Sequence, residues 1–526
     1  MKPQAGRTAT PALAGTLAAA GATDGMRQAA QTCPESASLL SRAIKFYYGI
    51  GAVAYGVNHA ALGSLVLLFF NQVIGLPAQW VGMAIMIAMF FDAIFDPLLG
   101  RWSDHVRSQW GRRHPFMYAS AIPIAVAFYW LWHPPHGWPN HAMFFYMLAM
   151  LMAVRLLTSI YEIPSAALAP ELTLDYDERT QLLSHRFFYG MLGGGAMAVL
   201  AFRVFLRQDA THPLGVLNRR GYEQYGLVAA IVMLIAILVS AVGTQGKSVV
   251  DLKPVRRGES LAERLKDVRE ILSNRSFLSL MSAAIIFSVG NGLATSLGLY
   301  IATYFWELTS QQISYLIVFG GIAAVLGVTL AAPISKRMGK KRAMITLFCC
   351  ALVTGVIPIP LRLIGLMPAN HTTALLAALL VDGLVRDTLA IMGFIIAASM
   401  MSDIVEDVAV KTGQRSEGLL FAANGLVLKS VSGIGTFLSG LLLEAVAFPQ
   451  GAKPGLVDPL VLRHLALLFV PVTAGCAALA IVALTFYRID RKTHLHNLEK
   501  LRDAAAAAER AGVETAEDLT AIARID

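Results

Sequence analysis

Twelve stretches of this chain are long and apolar enough to cross a membrane, and this constrains the fold more than any other feature. They lie near residues 46–73, 79–100, 115–133, 142–164, 185–206, 224–243, 277–304, 312–333, 343–363, 372–401, 417–447 and 463–487. A helix of about 20 apolar residues spans a hydrocarbon layer of roughly 30 Å. Lipid supplies no hydrogen-bond partner to the backbone, so such segments must close their own bonds as helices. Only 15% of the residues are charged, against about 25% in soluble domains. The predicted class is an all-α membrane protein.

The net charge of +9 is a matter of position more than of total. One set of loops holds Arg101, Arg107, Arg112 and Arg113, the run from Lys247 to Arg275, and "SKRMGKKRA" at 335–343, and the tail after Arg488 joins them. The opposite loops at 74–79, 134–140 and 305–311 hold no Lys or Arg, while 207–223 is the exception with Arg207, Arg219 and Arg220. That alternation is a topology signal and not a nucleic-acid footprint, and it places both termini in the cytoplasm of a multi-pass plasma (inner) membrane protein. The expected organisation is a cytoplasmic tail over 1–44, six spans over 45–244, a linker over 245–276, six spans over 277–487 and a tail over 488–526. Each half has a basic turn after its second span, "GRWSDHVRSQWGRRHPF" in one and "APISKRMGKKRAM" in the other. Two parallel halves with equivalent loops suit a transporter whose solute site lies between them. No nucleotide loop, metal-ligand cluster or nucleophile motif appears, so an enzyme is not expected and energy should come from an ion gradient. The four cysteines, Cys33, Cys349, Cys350 and Cys476, show no metal or disulfide spacing.

Ionisable residues inside the spans mark the candidate site, because each charge there costs at least a few kcal/mol. Asp92 and Asp96 are four residues apart on the second span, hence on one helical face about 6 Å apart along the axis. The fourth span adds Glu162, with the Ser159 hydroxyl three residues earlier. Three carboxylates and a hydroxyl on two helices suit a hard cation, Na⁺, or a shared proton. Arg155 lies two turns before Glu162 on the same face, and the tenth span carries Asp382, Arg386 and Asp387. Together with Arg186, these arginines suit a carboxylate or phosphate on the solute, or else they pair with the acids. Asn58 and His59 on the first span are further lining candidates, and a lone Lys429 in the eleventh span calls for an acidic partner such as Asp92 or Asp96. Asp104, Arg107, Arg112 and Arg113 form a candidate cytoplasmic gate that closes on Glu171, Asp175 or Asp177. Gly190 and Gly194, four apart, point to close helix packing.

Three segments carry a resemblance: "FDAIFDPLLGRWSDHVRSQWGRRHPF", "YEIPSAALAPELTLDYDERTQLLSHRFF" and "MSDIVEDVAVKTGQRSEGLLFAANGLVLKSVSG". They resemble, in order, the second-span, fourth-to-fifth-span and tenth-to-eleventh-span segments of the glycoside-pentoside-hexuronide:cation symporters, and the likeness runs over most of 41–490. It implies the major facilitator fold of twelve transmembrane helices in two six-helix halves. It implies Asp92, Asp96 and Glu162 as cation-site carboxylates, Ser159 as a hydroxyl ligand, Lys429 near the cation and sugar sites, and Arg186 as a sugar contact. Two positions depart from the pattern: Gly56 stands where sugar carriers have an acid, and Ala166 where they have a stacking Trp. The expected function is symport of a sugar, glycoside or hexuronide with Na⁺ or H⁺ by alternating access, without a cofactor, by a chain functional as a monomer. The alternatives are a Na⁺-coupled carrier of an amphiphilic anion such as a lysolipid, and a non-transporting sensor on a transporter fold.

Overall fold

In the computed structural model twelve long helices follow one another along the chain. They are α1 (Arg42–Val73), α2 (Ala78–His105), α3 (His114–Trp132), α4 (Asn140–Ala166), α5 (Tyr176–Leu200), α6 (Arg219–Thr244), α7 (Arg275–Tyr300), α8 (Ser310–Met338), α9 (Lys340–Leu363), α10 (Thr373–Thr412), α11 (Glu417–Ala445) and α12 (Pro459–Thr485). The structure describes residues 40–106, 108–173, 175–208, 215–247, 274–412 and 417–489, with a few positions after 490. Side chains at 176–177, 409, 411–412, 417–424, 426 and 428–430 lie outside that description. Eleven helices have the length and hydropathy of a membrane span over their described residues, and α11, 29 residues long, is the twelfth. Large apolar side chains face outward: Ile122, Phe145, Val242 and Val325 are each 64–65% exposed. So much exposed apolar surface is stable only where the surrounding solvent is lipid.

Helix pairing repeats between the halves. In the first half α1 packs on α5 and α6, α2 on α4, and α3 on α4 and α6. In the second, α7 packs on α11 and α12, α8 on α10, and α9 on α10 and α12. Shifting every helix by six maps one set onto the other, so the two halves are structural repeats. Across the interface α2 packs on α11 and α8 on α5, which is one contact used twice.

Small residues set the closeness of these crossings. A Cβ added at Gly82 of α2 would lie 2.9 Å from the Phe437 Cα of α11, so the two backbones touch there. Within the first half, Gly56 of α1 faces Gly190 and Gly194 of α5, and a Cβ on Gly56 would strike the Gly190 carbonyl. The expected close packing at Gly190 and Gly194 is therefore present, with Gly56 as its partner.

The helix ends on the side of Arg42 and Thr485 are called the tail side, and the opposite ends the far side. On the far side α1 ends in a π-helical turn at Phe69–Val73 and α7 in one at Ile301–Phe305. The wider turns close through Ile74 N–H donating to the Phe69 carbonyl at 3.0 Å and Trp306 N–H to the Ile301 carbonyl at 2.9 Å. The first helix of each half thus ends in the same irregular way, of a kind often found at functional sites.

Candidate functional site

The helices that carry the acids are interrupted beside them. Pro97 follows Asp96 in α2, and Pro164 stands two residues after Glu162 in α4. Proline has no N–H and frees a carbonyl one turn earlier, so the backbone near both acids is opened. Asp92 is buried, at 5% exposure. The Ser159 hydroxyl donates to its Oδ1 at 2.8 Å, and Arg155 Nη1 stands 3.5 Å from Oδ2. Asp96 lies near enough to contribute to the field at Arg155. Glu162 Oε1 pairs with Arg186 Nη2 at 2.7 Å. The same guanidinium donates to Ser165 Oγ at 3.0 Å and sits 5.6 Å over the Tyr48 ring.

Asp92 of α2 is therefore tied to α4 through Ser159 and Arg155, and Glu162 of α4 is held by Arg186. Among the described residues no group of three or more His, Cys, Asp or Glu converges as a metal cage. Arg155 pairs with Asp92 across α4 and α2. Buried atoms in this region without a hydrogen-bond partner among the described residues include Glu162 Oε2, Arg186 Nη1, Arg155 Nε and Asn58 Oδ1. Buried polar atoms left open are costly, by about 1–3 kcal/mol each, and mark positions for a ligand or water.

Other predicted residues fall in different places. Asn58 Nδ2 donates to Thr158 Oγ1 at 3.3 Å, which ties α1 to α4 beside the acids. His59 is exposed and stacks on Tyr55, with ring centroids 5.8 Å apart. Arg386 does not join Arg155 and Arg186. It pairs on its own helix with Asp387 at 3.0 Å and Asp382 at 4.0 Å, and its stem faces Gly355 of α9. The backbone of Lys429 belongs to α11, but its side chain lies outside the described residues. Sequence reasoning missed Ser165 and Tyr48, which complete the Arg186 shell. Neither residue is charged, so neither stood out within an apolar span.

The candidate gate residues pair inside the first half. Arg113 meets Asp104 at 2.6 Å and Glu171 at 3.1 Å, and donates to Ser103 Oγ at 2.7 Å. Arg112 meets Glu171 at 3.1 Å. Arg107 lies outside the described residues, as does the Asp177 side chain. The second half repeats the device: Lys340, at the start of α9, pairs with Asp403 of α10 at 2.6 Å. In each half the basic turn is clamped within that same half, by Glu171 just after α4 in the first and by Asp403 of α10 in the second.

Hydrogen bonds between the halves gather on the far side, and the central ones join uncharged side chains. Tyr300 OH donates to Asn71 Oδ1 at 2.8 Å and Tyr304 OH to Gln72 Oε1 at 3.2 Å. Gln72 Oε1 also accepts from Ala452 N–H at 3.0 Å, and Gln72 Nε2 donates to the Pro449 carbonyl at 3.2 Å. Arg203 Nε donates to Ser314 Oγ at 2.7 Å, and Gln79 Nε2 to Glu444 Oε1 at 2.9 Å. Asn71, Gln72, Tyr300 and Tyr304 are all buried. Among the described residues no hydrogen bond joins the halves at the tail side. The available sequence signal was Asn-Gln at one span end, opposite two tyrosines four residues apart.

Twelve helices in two repeated halves, with paired charges buried inside the first, are what a membrane carrier needs, and the comparison with known families decides which. The chain matches the family described as MFS/sugar transport protein over residues 47–491. It belongs to that family. The transporter is 24% identical to the inner membrane symporter YicJ of Escherichia coli, over 90% of this chain and 96% of that one. It is 23% identical to the isoprimeverose transporter of Lactiplantibacillus pentosus, over 85% of this chain and 88% of that one. In fold it is similar to the inward-open xylose transporter XylE from E. coli, with a TM-score of 0.58, 14% identity and coverage of 87% of this chain and 99% of that one. The nucleoside transporter NupG gives a TM-score of 0.58 at 15% identity, over 85% of this chain and 99% of that one. The transporter is thus a multi-pass membrane protein of the major facilitator fold that moves a small-molecule solute, and not an enzyme.

Proposed function

We infer that the transporter couples uptake of a sugar, glycoside or hexuronide to Na⁺ or H⁺. The observation that carries this reading is Glu162: one oxygen is held by Arg186 and the other is buried without a partner among the described residues. Glu162 stands one turn from Ser159, which is bonded to Asp92. A carboxylate oxygen in low dielectric, next to a hydroxyl and a second acid, favours a small cation or a proton. Asp92, Asp96, Glu162 and Ser159 are the proposed cation residues, and Lys429 is their proposed charge partner from the other half.

For the solute, Arg186 Nη1 is an open donor and Asn58 Oδ1 an open acceptor on neighbouring helices. That combination suits sugar hydroxyls, and a guanidinium with a free N–H also suits the carboxylate of a hexuronide. The charge pattern of the loops supports a cytoplasmic tail side. With the far side shut, the described conformation is then the inward-facing one.

Uptake into proteoliposomes tests the reading, across neutral pentosides, neutral hexosides and hexuronides, each with and without an inward Na⁺ or proton gradient. The expected result is accumulation of one class driven by one gradient, abolished by Asp92→Asn. Transport of every accepted solute at a rate indifferent to both gradients would remove the symport reading.

A further inference from the structure

A cavity of about 180 Å³ lies on the far side, away from the acids of α2 and α4. Both halves build it. Gln208 comes from the connection after α5, Thr303 from the π-turn of α7, Glu307 from the connection between α7 and α8, Ser310 from the start of α8, His371 from the turn before α10 and Gly455 from the turn before α12. Thr303 is 1% exposed, and among the described residues its hydroxyl has no hydrogen-bond partner. A buried, unanswered hydroxyl in the wall of a cavity is a position where a ligand gains a bond that the empty protein lacks. At the mouth, His371 Nε2 and Glu307 Oε2 are 2.8 Å apart, with the His371 side chain 68% exposed. Both residues have left-handed backbone, φ +65° and +50°, which non-glycine residues rarely adopt and which gathers at ligand clamps.

The lining selects the ligand class. Its described lining residues include no Lys or Arg, which disfavours an anion. The one carboxylate among those described residues, Glu307, is already met by His371, which disfavours a bare cation. What remains are groups that both donate and accept: the Thr303 and Ser310 hydroxyls, the Gln208 amide and the free edge of the Glu307 carboxylate. Hydroxyl groups of a single sugar ring or a cyclitol match that set and that volume.

We propose that this cavity is a second solute site, which binds a small neutral polyhydroxylated molecule from the far side and holds the far side shut. The second half of the statement follows from the first. The walls belong to opposite halves, so the complete site exists only while the halves meet there. A ligand that binds one conformation shifts the population toward it. Thr303 lies between Tyr300 and Tyr304, whose hydroxyls join the halves, so the occupant would reinforce the same closure. High far-side concentrations of such a solute should therefore slow transport instead of saturating it. This site is separate from the proposed cation and solute residues, and its test does not depend on coupling.

The experiment measures binding of D-xylose, D-glucose and myo-inositol to the purified full chain by thermal shift and calorimetry. Wild type is compared with Thr303→Val, Gln208→Leu and Asp92→Asn. The expected result is saturable binding of at least one probe, weakened about tenfold by Thr303→Val or Gln208→Leu and retained in Asp92→Asn. The two variants guard against a folding defect, because Gln208 sits at the exposed rim. The proposal is overturned if no probe binds at millimolar concentration. It is equally overturned if binding is indifferent to Thr303→Val and Gln208→Leu. Failure of symport would show instead as gradient-independent uptake, which this binding measurement does not read.

Discussion

At the scale of single residues, the pairing of Arg186 with Glu162 decides how the site tolerates change. Both side chains are mostly withdrawn from solvent, at 10% and 25% exposure. Removing one partner of a buried pair strands the other charge, which typically costs about 3–5 kcal/mol. Glu162→Gln should therefore lower the thermal midpoint in detergent by several degrees, and so should Arg186→Gln. The double variant should recover much of the loss, since no charge is then left unanswered. Strictly additive losses would show that the two side chains do not depend on each other. Arg186 donates separately to Ser165, so recovery should be partial. The existence of these charges was legible in the sequence, because an acid or arginine inside an apolar run has few explanations. Their pairing was not. Arg155 is seven residues from Glu162, yet it chose Asp92 on another helix, and only the packing of α2 on α4 settles that choice.

At the scale of helices, backbone approach is the controlling quantity. Gly56 stands where the resembling sugar carriers have an acidic side chain, and it faces the Gly190 carbonyl without room for a Cβ. Gly56→Asp should consequently not restore a sugar contact. It should separate α1 from α5, destabilising the protein by at least about 1–3 kcal/mol through overpacking, with no gain in uptake of neutral galactosides. A stable Gly56→Asp protein with raised galactoside uptake would show that the helices can part at this crossing without penalty. The number and order of the helices were legible because a span of about 20 apolar residues has one solution in lipid. The glycine pair at 190 and 194 was legible as a packing face, although its partner was not. The π-turns ending α1 and α7 left no trace in the pattern, because one extra residue per turn changes no hydrophobic period over so short a stretch. The hydrogen-bonded joint they carry, from Asn71 and Gln72 to Tyr300 and Tyr304, was hidden for the same reason.

At the scale of the whole molecule, a carrier must hold two arrangements of its halves at similar free energy, so the joint on the closed side cannot be too strong. The centre of the far-side joint is a few neutral hydrogen bonds around Gln72, each worth about 0.5–1.5 kcal/mol net, with Arg203–Ser314 and Gln79–Glu444 beside them. Gln72→Leu removes its side-chain bonds and leaves the Ala452 N–H and the Tyr304 hydroxyl seeking partners. The change should therefore favour far-side opening by about tenfold in population. Spin labels at His136 of the first half and Leu366 of the second, in a background with the native cysteines replaced, would read it as a distance distribution, because both side chains are exposed on the far side. The wild type should show mainly the short distance, and Gln72→Leu a grown long-distance population. The pairs on the tail side provide the contrast. Arg113 with Glu171 and Lys340 with Asp403 each lie within one half and move with it. Arg113→Gln should thus lower stability while altering the His136–Leu366 distribution far less than Gln72→Leu. Equal shifts from both variants would mean that the halves are not rigid bodies, and that closure is spread through the bundle instead of residing in the far-side joint.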